Sequence, residues 1–153
     1  MFFREMKEED LDRVSELEKC IFSMPWSKES FSDSLKQSYS YFFVAEENEK
    51  IVGYLGIHNL GGDGEITNVA VDEKFRGRGI AYAMLQYAMD ETKCHGVTAF
   101  TLEVRKSNVA AISLYEKHGF ENCGIRKNFY ENPTEDAVIM WKNQGIQGTF
   151  TTF

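Results

Sequence analysis

The stretch KFRGRGIAYAML, residues 74–85, sets Arg76, Gly77, Arg78 and Gly79 directly before a small, apolar, helix-favouring run. A helix start leaves backbone N–H groups unpaired and presents the positive end of the helix dipole. Glycines there let another molecule approach the backbone, so these residue types at this spacing fit a phosphate cradle. The P-loop pattern G-x-x-x-x-G-K-[ST] is absent. The dinucleotide fingerprint G-x-G-x-x-G also fails, because Tyr82 stands at its third glycine and a bulky ring blocks close packing. A second chemical feature is the run TLEVR, in which Leu102 and Val104 alternate with Thr101, Glu103 and Arg105. A carboxylate on a central strand is costly unless it is paired or used. Glu103 therefore reads as one half of an ion pair with Arg105 or another nearby base, or as a proton acceptor. Glu65, which opens the neighbouring apolar run EITNVAV, is the rival carboxylate. His58, His95 and His118 are too scattered to form a metal site, and none is expected. Cys94 is followed by His95, but adjacent side chains at a helix end diverge, so no covalent cysteine route is expected. The three cysteines lack a C-x-x-C pair and read as reduced, mostly buried thiols.

The elements that must position these groups follow from periodicity. Phe2 to Arg4 is a short strand. Leu11, Val14, Leu17 and Ile21 recur at three- and four-residue steps and mark a helix with one buried stripe. Pro25 and Trp26 break that pattern, and Ser27 caps a second short helix carrying Phe31 and Leu35. YFFVAEE and IVGYLGIHNL are strands joined through Asn48-Glu49-Lys50, and GGDG turns the chain into EITNVAV. Ile80, Met84, Leu85 and Ala88 stripe a helix after the glycine loop. VTAFTLEV is a strand, VAAISLYEKHGF a helix ended by Gly119, and residues 123–129 and 136–142 are closing strands around the loop Tyr130–Pro133. The order β-α-α-β-β-β-α-β-α-β-β gives an α/β fold with a mixed, largely antiparallel sheet.

Composition sets the outer bounds. A chain of 153 residues, 42% hydrophobic and 14% aromatic, is expected to form one globular domain. No apolar run reaches the roughly 18 residues of a membrane span, and MFFREMKEED has no signal-peptide character. Residues 1–49 hold twelve Asp/Glu against six Lys/Arg, so most of the formal net charge of −7 lies in the first third. Such a region repels nucleic acid and attracts a basic partner, although solvated helix faces explain any single carboxylate equally well.

The pattern R-x-x-G-x-A from Arg76 to Ala81, directly after EITNVAV and Asp72, resembles motif A of the GNAT acyltransferase superfamily. NVAAISLYEKHGF resembles its motif B, N-x-x-A-x-x-L-Y-x-x-x-G-F, and the element order matches over essentially the whole chain. The resemblance implies a GNAT fold of about seven strands flanked by four helices, with acetyl-CoA as co-substrate. It implies that the backbone from Gly77 through Arg78, Gly79 and Ile80 to Ala81 faces the pyrophosphate, with Arg76 and Arg78 as counter-charge. Backbone groups of Val69, Ala70 and Val71 would serve the cofactor arm and carbonyl, where this strand splays from the strand 98–104. Asn108 would bind the pantetheine arm. Glu103 would take the proton of the attacking amine, with Glu65 as rival, and Tyr115 would protonate the leaving thiolate. The alternative for Tyr115 is simple helix packing.

CIFSMPWSKESF and TLEVRKSNVAAISLYEKHGF further resemble the bacterial ribosomal-protein alanine N-acetyltransferases, in which a P-W-[ST] turn walls the peptide site. That likeness places Trp26 and Tyr130 beside the acceptor. It implies N-α-acetylation of a protein amino-terminus in the cytoplasm, on a basic ribosomal protein, by direct transfer. The alternatives are transfer to a small amine or a lysine side chain, or a non-catalytic acyl-CoA-binding module. Trp26 is otherwise a helix stop with a core indole. The domain is expected to span 1–143, and the tail 144–153 reads as disordered, as a cover for the peptide groove, or as a partner contact.

Overall fold

The structure is a computed structural model that describes residues 1–143. The expected tail and its role lie outside the described residues. The elements run β1 Phe2–Glu5, α1 Leu11–Ile21, α2 Lys28–Leu35, β2 Ser40–Glu47, β3 Lys50–Leu60, β4 Asp63–Val71, α3 Ile80–Lys93, β5 Ala99–Arg105, α4 Val109–Lys117, β6 Glu121–Tyr130 and β7 Glu135–Asn143. The chain order is the one read from periodicity. The first helix spans the whole apolar stripe from Leu11 to Ile21, and Glu8–Asp10 form a 3₁₀ turn ahead of it.

The sheet order is β1-β2-β3-β4-β5-β7-β6, and only β4 and β5 run parallel. Hairpins build the first half. Gly61 and Gly62 both take positive φ, 68° and 103°, the requirement of a two-residue turn that continues the strand twist. Side chains alternate across the sheet, so Phe42 and Val44 join one core while Phe43 and Ala45 join the other. One core packs α1 and α2 through Leu11, Val14, Leu17 and Phe31 against Tyr54 and Ala70. The second packs α3 and α4 through Met84, Leu85, Met89 and Tyr115 against Leu55, Phe100 and Leu102.

The central interruption of the sheet matters most. β4 and β5 pair at only three rungs, Asp63 with Ala99, Gly64 with Phe100 and Glu65 with Thr101. Beyond these, β4 stays with β3 and β5 stays with β7, so the facing backbone edges of the two strands part company. A register shift where Asn68 faces Gly56 and Ile66 faces Ile57 leaves Thr67 as an extra residue and bends β4 at the parting.

One expectation is corrected. Cys20, Cys94 and Cys123 are all free and exposed rather than buried. Cys20 lies off the buried stripe of α1, Cys94 caps the end of α3, and Cys123 lies on the edge strand β6, three places where solvent meets the chain.

Candidate active site

Asp72 follows β4 and accepts from the Lys74 N–H at 3.0 Å, starting a 3₁₀ turn over Glu73–Phe75 that delivers the chain to the glycine loop. Gly77 and Gly79 take φ of 78° and 77°, and a methyl group at either would meet nothing within 4 Å. Backbone conformation, not crowding, therefore demands glycine here. Gly79 caps α3 without a side chain, which leaves the first N–H groups of that helix open.

A cleft of about 420 Å³ lies between this loop and α4. Val71, Arg76, Gly77, Gly79, Ile80 and Ala81 line one side, six of the residues expected to meet the cofactor. Ala110, Ser113, Leu114 and Lys117 form the opposite wall, and Phe75 and Tyr82 complete the lining. Spacing on one face of α4 is the signal by which the far wall, Lys117 included, could have been found. The Arg76 Nε–H donates to the Val71 carbonyl at 3.1 Å, and its terminal amino groups have no hydrogen-bond partner among the described residues. Arg78 turns elsewhere: it pairs with Glu47 at 2.8 Å and lies 5.2 Å from the Phe75 ring centre, outside the cleft lining. Val69 packs against the α3-side core, whereas the Ala70 side chain is buried on the other face, so Ala70 has only backbone to offer a ligand. The Asn108 carboxamide oxygen accepts from the Ala111 N–H at 3.1 Å and caps α4 at the rim.

The two carboxylates are separated by the parting of the strands. Glu65 sits on the last shared rung, beside His58 in β3. Glu103 lies two residues beyond that rung, where β5 has lost β4. Its side chain is 24% exposed, and its carboxylate pairs with Arg126 of β6 at 3.0 Å. The ion-pair reading thus holds, but the partner is not Arg105. Arg105 donates instead to the carbonyls of Glu131 and Pro133, to the Ser23 hydroxyl and to Glu135, at 2.8–3.2 Å. Its guanidinium also lies 4.6 Å from the Tyr130 ring centre.

Tyr115 is buried and packs on Phe120 with centroids 5.8 Å apart. Burial, with a smaller contribution from Tyr130, holds its phenol well above the ordinary range. Tyr130 is pushed up to about 12 by burial and by Glu103, against the opposing pull of Arg105. The Tyr130 phenol is thus coupled electrostatically to Glu103 on β5 and, more weakly, to Tyr115 on α4. Both phenols keep their protons at neutral pH, as a proton donor requires.

Trp26 faces inward. Its ring lies 5.2 Å from Phe31 and 6.4 Å from His58, and its backbone N–H donates to Glu18 at 3.0 Å. Glu18 is a residue that sequence reasoning passed over. It is 2% exposed and also accepts from the Tyr54 hydroxyl at 2.6 Å and the Asn68 amide at 3.4 Å. The network ties α1 and the Trp26 turn to β3 and to the bent part of β4. The available signal was its position one helical turn beyond Val14, on the apolar stripe. Among the described residues, no group of three or more His, Cys, Asp or Glu side chains could hold a metal, and no helix is long and apolar enough to cross a membrane.

A parted parallel strand pair, a glycine loop opening a helix and a facing second helix define an acyl-CoA-dependent transferase architecture. The sequence matches the acetyltransferase (GNAT) family over residues 11–120, and the chain belongs to that family, whose acetyl donor is acetyl-CoA. Among its relatives, a Bacillus subtilis protein provisionally named [ribosomal protein bS18]-alanine N-acetyltransferase is 39% identical over 90% of this chain and 92% of its own. The [ribosomal protein bS18]-alanine N-acetyltransferase of Escherichia coli strain K12 is 34% identical over 86% of this chain and 89% of its own. The crystal structure of the ribosomal-protein-S18-alanine N-acetyltransferase from Escherichia coli superposes with a TM-score of 0.88 at 30% identity, covering 97% of this chain and 96% of that one.

Proposed function

We propose that the protein is an N-α-acetyltransferase that moves the acetyl group of acetyl-CoA to the amino-terminal alanine of a basic small-subunit ribosomal protein. The observation that carries this reading is the parting of β4 and β5 two residues before Glu103, in a fold that also buries a protonated Tyr115 on α4 and opens a cleft at the glycine loop. The relatives named for bS18 alanine acetylation support the choice of acceptor. In this reading residues 1–143 are the catalytic domain, and a cytoplasmic location follows from the substrate.

The open N–H groups at the start of α3 and the Arg76 guanidinium hold the pyrophosphate, while Lys117 adds charge from the far wall. Backbone groups of the stretch Val69, Ala70 and Val71, where β4 has parted from β5, orient the arm and the thioester carbonyl, with Asn108 on the arm. The acceptor enters between the Trp26 turn and the loop at Tyr130. Glu103 takes a proton from the α-ammonium, directly or through water, and frees the lone pair that attacks the carbonyl carbon. As the tetrahedral adduct collapses and the C–S bond breaks, Tyr115 gives its proton to the sulfur, and the second proton lost by the acylated nitrogen restores the phenol through solvent. The transfer needs no acyl-enzyme.

Mass spectrometry of two peptides after incubation with acetyl-CoA tests this. One begins Ala-Arg with a free α-amine; the other has its α-amine blocked and a lysine free. Acetylation of the α-amine alone is expected. Transfer to the lysine alone, or to neither peptide while CoA still binds, would overturn the reading.

A further inference from the structure

Arg105 lies against the Tyr130 ring and Arg126 pairs with Glu103, and the two arginines differ in how they are held. Arg105 makes four hydrogen bonds, to Ser23, Glu131, Pro133 and Glu135, and is largely buried. Arg126 makes a single ion pair, Nη1 to the Glu103 Oε2 at 3.0 Å, and its side chain is 57% exposed. It also has a second seat, since its guanidinium already lies 5.4 Å from the Phe129 ring centre. The strand beneath it is irregular: register is lost between Arg126 and Tyr130, and Asn128 takes φ of 54°. One arginine is fixed and the other is free to leave.

We propose that Arg126 is a specificity-determining residue that occupies, against Glu103, the seat of the acceptor's α-ammonium, so that every acceptor must displace it. The inference rests on the reading of Glu103 as the proton acceptor. The Glu103 side chain is only partly exposed, and Arg126 is the cation that faces its carboxylate in the resting enzyme. An exposed, singly bonded pair is weak, so an incoming ammonium can replace it. An acceptor presenting a neutral group to Glu103 lacks that compensation and leaves Arg126 in place. The displaced guanidinium keeps the Phe129 face, which lowers the cost of the exchange.

Titration calorimetry tests the exchange. The Ala-Arg peptide is titrated at pH 7, where its α-amine is largely protonated, into the enzyme already bound to CoA. Arg126→Gln is expected to tighten binding about two- to fivefold, the range set by a weak exposed pair. Arg126→Lys, which keeps a cation, should stay near wild type. In a Glu103→Gln background, Arg126→Gln should have no effect, because nothing remains to compete for. Tightening that persists in that background would mean general charge repulsion and overturn the proposal, as would weaker or unchanged binding in Arg126→Gln alone. Turnover separates the two claims. If Glu103→Gln keeps full kcat, the assignment of the base fails. If it loses kcat while Arg126→Gln binds no tighter, only the exchange fails.

Discussion

The cleft side of the parted strands and the side proposed to take the acceptor are built differently. On the cofactor side, the decisive features are local backbone conformations: two left-handed glycines, an uncapped helix start and the Asn108 cap all lie within short spans of chain. On the acceptor side, the decisive features are side-chain bonds between distant residues, such as Arg105 to Ser23, 82 positions away, and Tyr54 to Glu18, 36 positions away. A nucleotide tail is the same molecule in every such enzyme, so a fixed backbone cradle suffices. An acceptor groove has to be particular, and side chains supply particularity.

The largest expected effect separates chemistry from binding. Tyr115→Phe should lower kcat by about 10²-fold or more while the acetyl-CoA dissociation constant stays within about twofold. A parallel rise in that constant, seen by calorimetry, would show that Tyr115 serves the cofactor side as well.

Glu18→Ala attacks the acceptor side alone. It leaves the buried Tyr54 hydroxyl and the Trp26 N–H without their acceptor, and chemical denaturation should show a loss of about 2–3 kcal/mol. Acceptor KM should rise with little change in cofactor binding. Gly79→Ala is the converse. A residue with Cβ held at φ of 77° costs about 1–2 kcal/mol, and the open space around it leaves no steric contribution. The acetyl-CoA dissociation constant should rise about tenfold, and acceptor KM should hold.

The smallest effect is one of pH. His118 is buried, its Nε2 lies 2.9 Å from the Tyr82 carbonyl, and its ring stacks on Tyr82 at 3.8 Å, tying α4 to α3. Burial lowers its pKa below the ordinary 6.5. The unfolded chain therefore takes up the proton first, so this contribution to stability is full above about pH 6.5 and is lost as pH falls. The difference in denaturation midpoint between wild type and His118→Leu should shrink from pH 7 to pH 5. An unchanged difference would remove His118 from the cofactor wall's stability.

The same contrast explains what was legible in the sequence. The glycine loop, the Ser27 cap, and the stripes of α1 and α3 depend on neighbours a few residues away and emerged from spacing, whereas Asn108 was read only as a cofactor ligand and proves also to cap α4. The partner of Glu103 did not, because Arg126 reaches it only through the pairing of β5 with β7 and of β7 with β6. Arg78 carried the right charge at the right spacing, yet β2 brings Glu47 within 2.8 Å and takes it away from the cleft. Glu18 was passed over, since the groups that compensate its burial come from β3 and β4, which one helix's periodicity does not reveal.

The measurement that bears most directly on the division between the two sides is a paired one on Glu103→Gln: acetyl-CoA affinity by calorimetry, and single-turnover transfer to the Ala-Arg peptide. An affinity within about twofold of wild type, with transfer slowed by about 10²- to 10⁴-fold, is the predicted result. Transfer at the wild-type rate, or an affinity that collapses together with transfer, would contradict it.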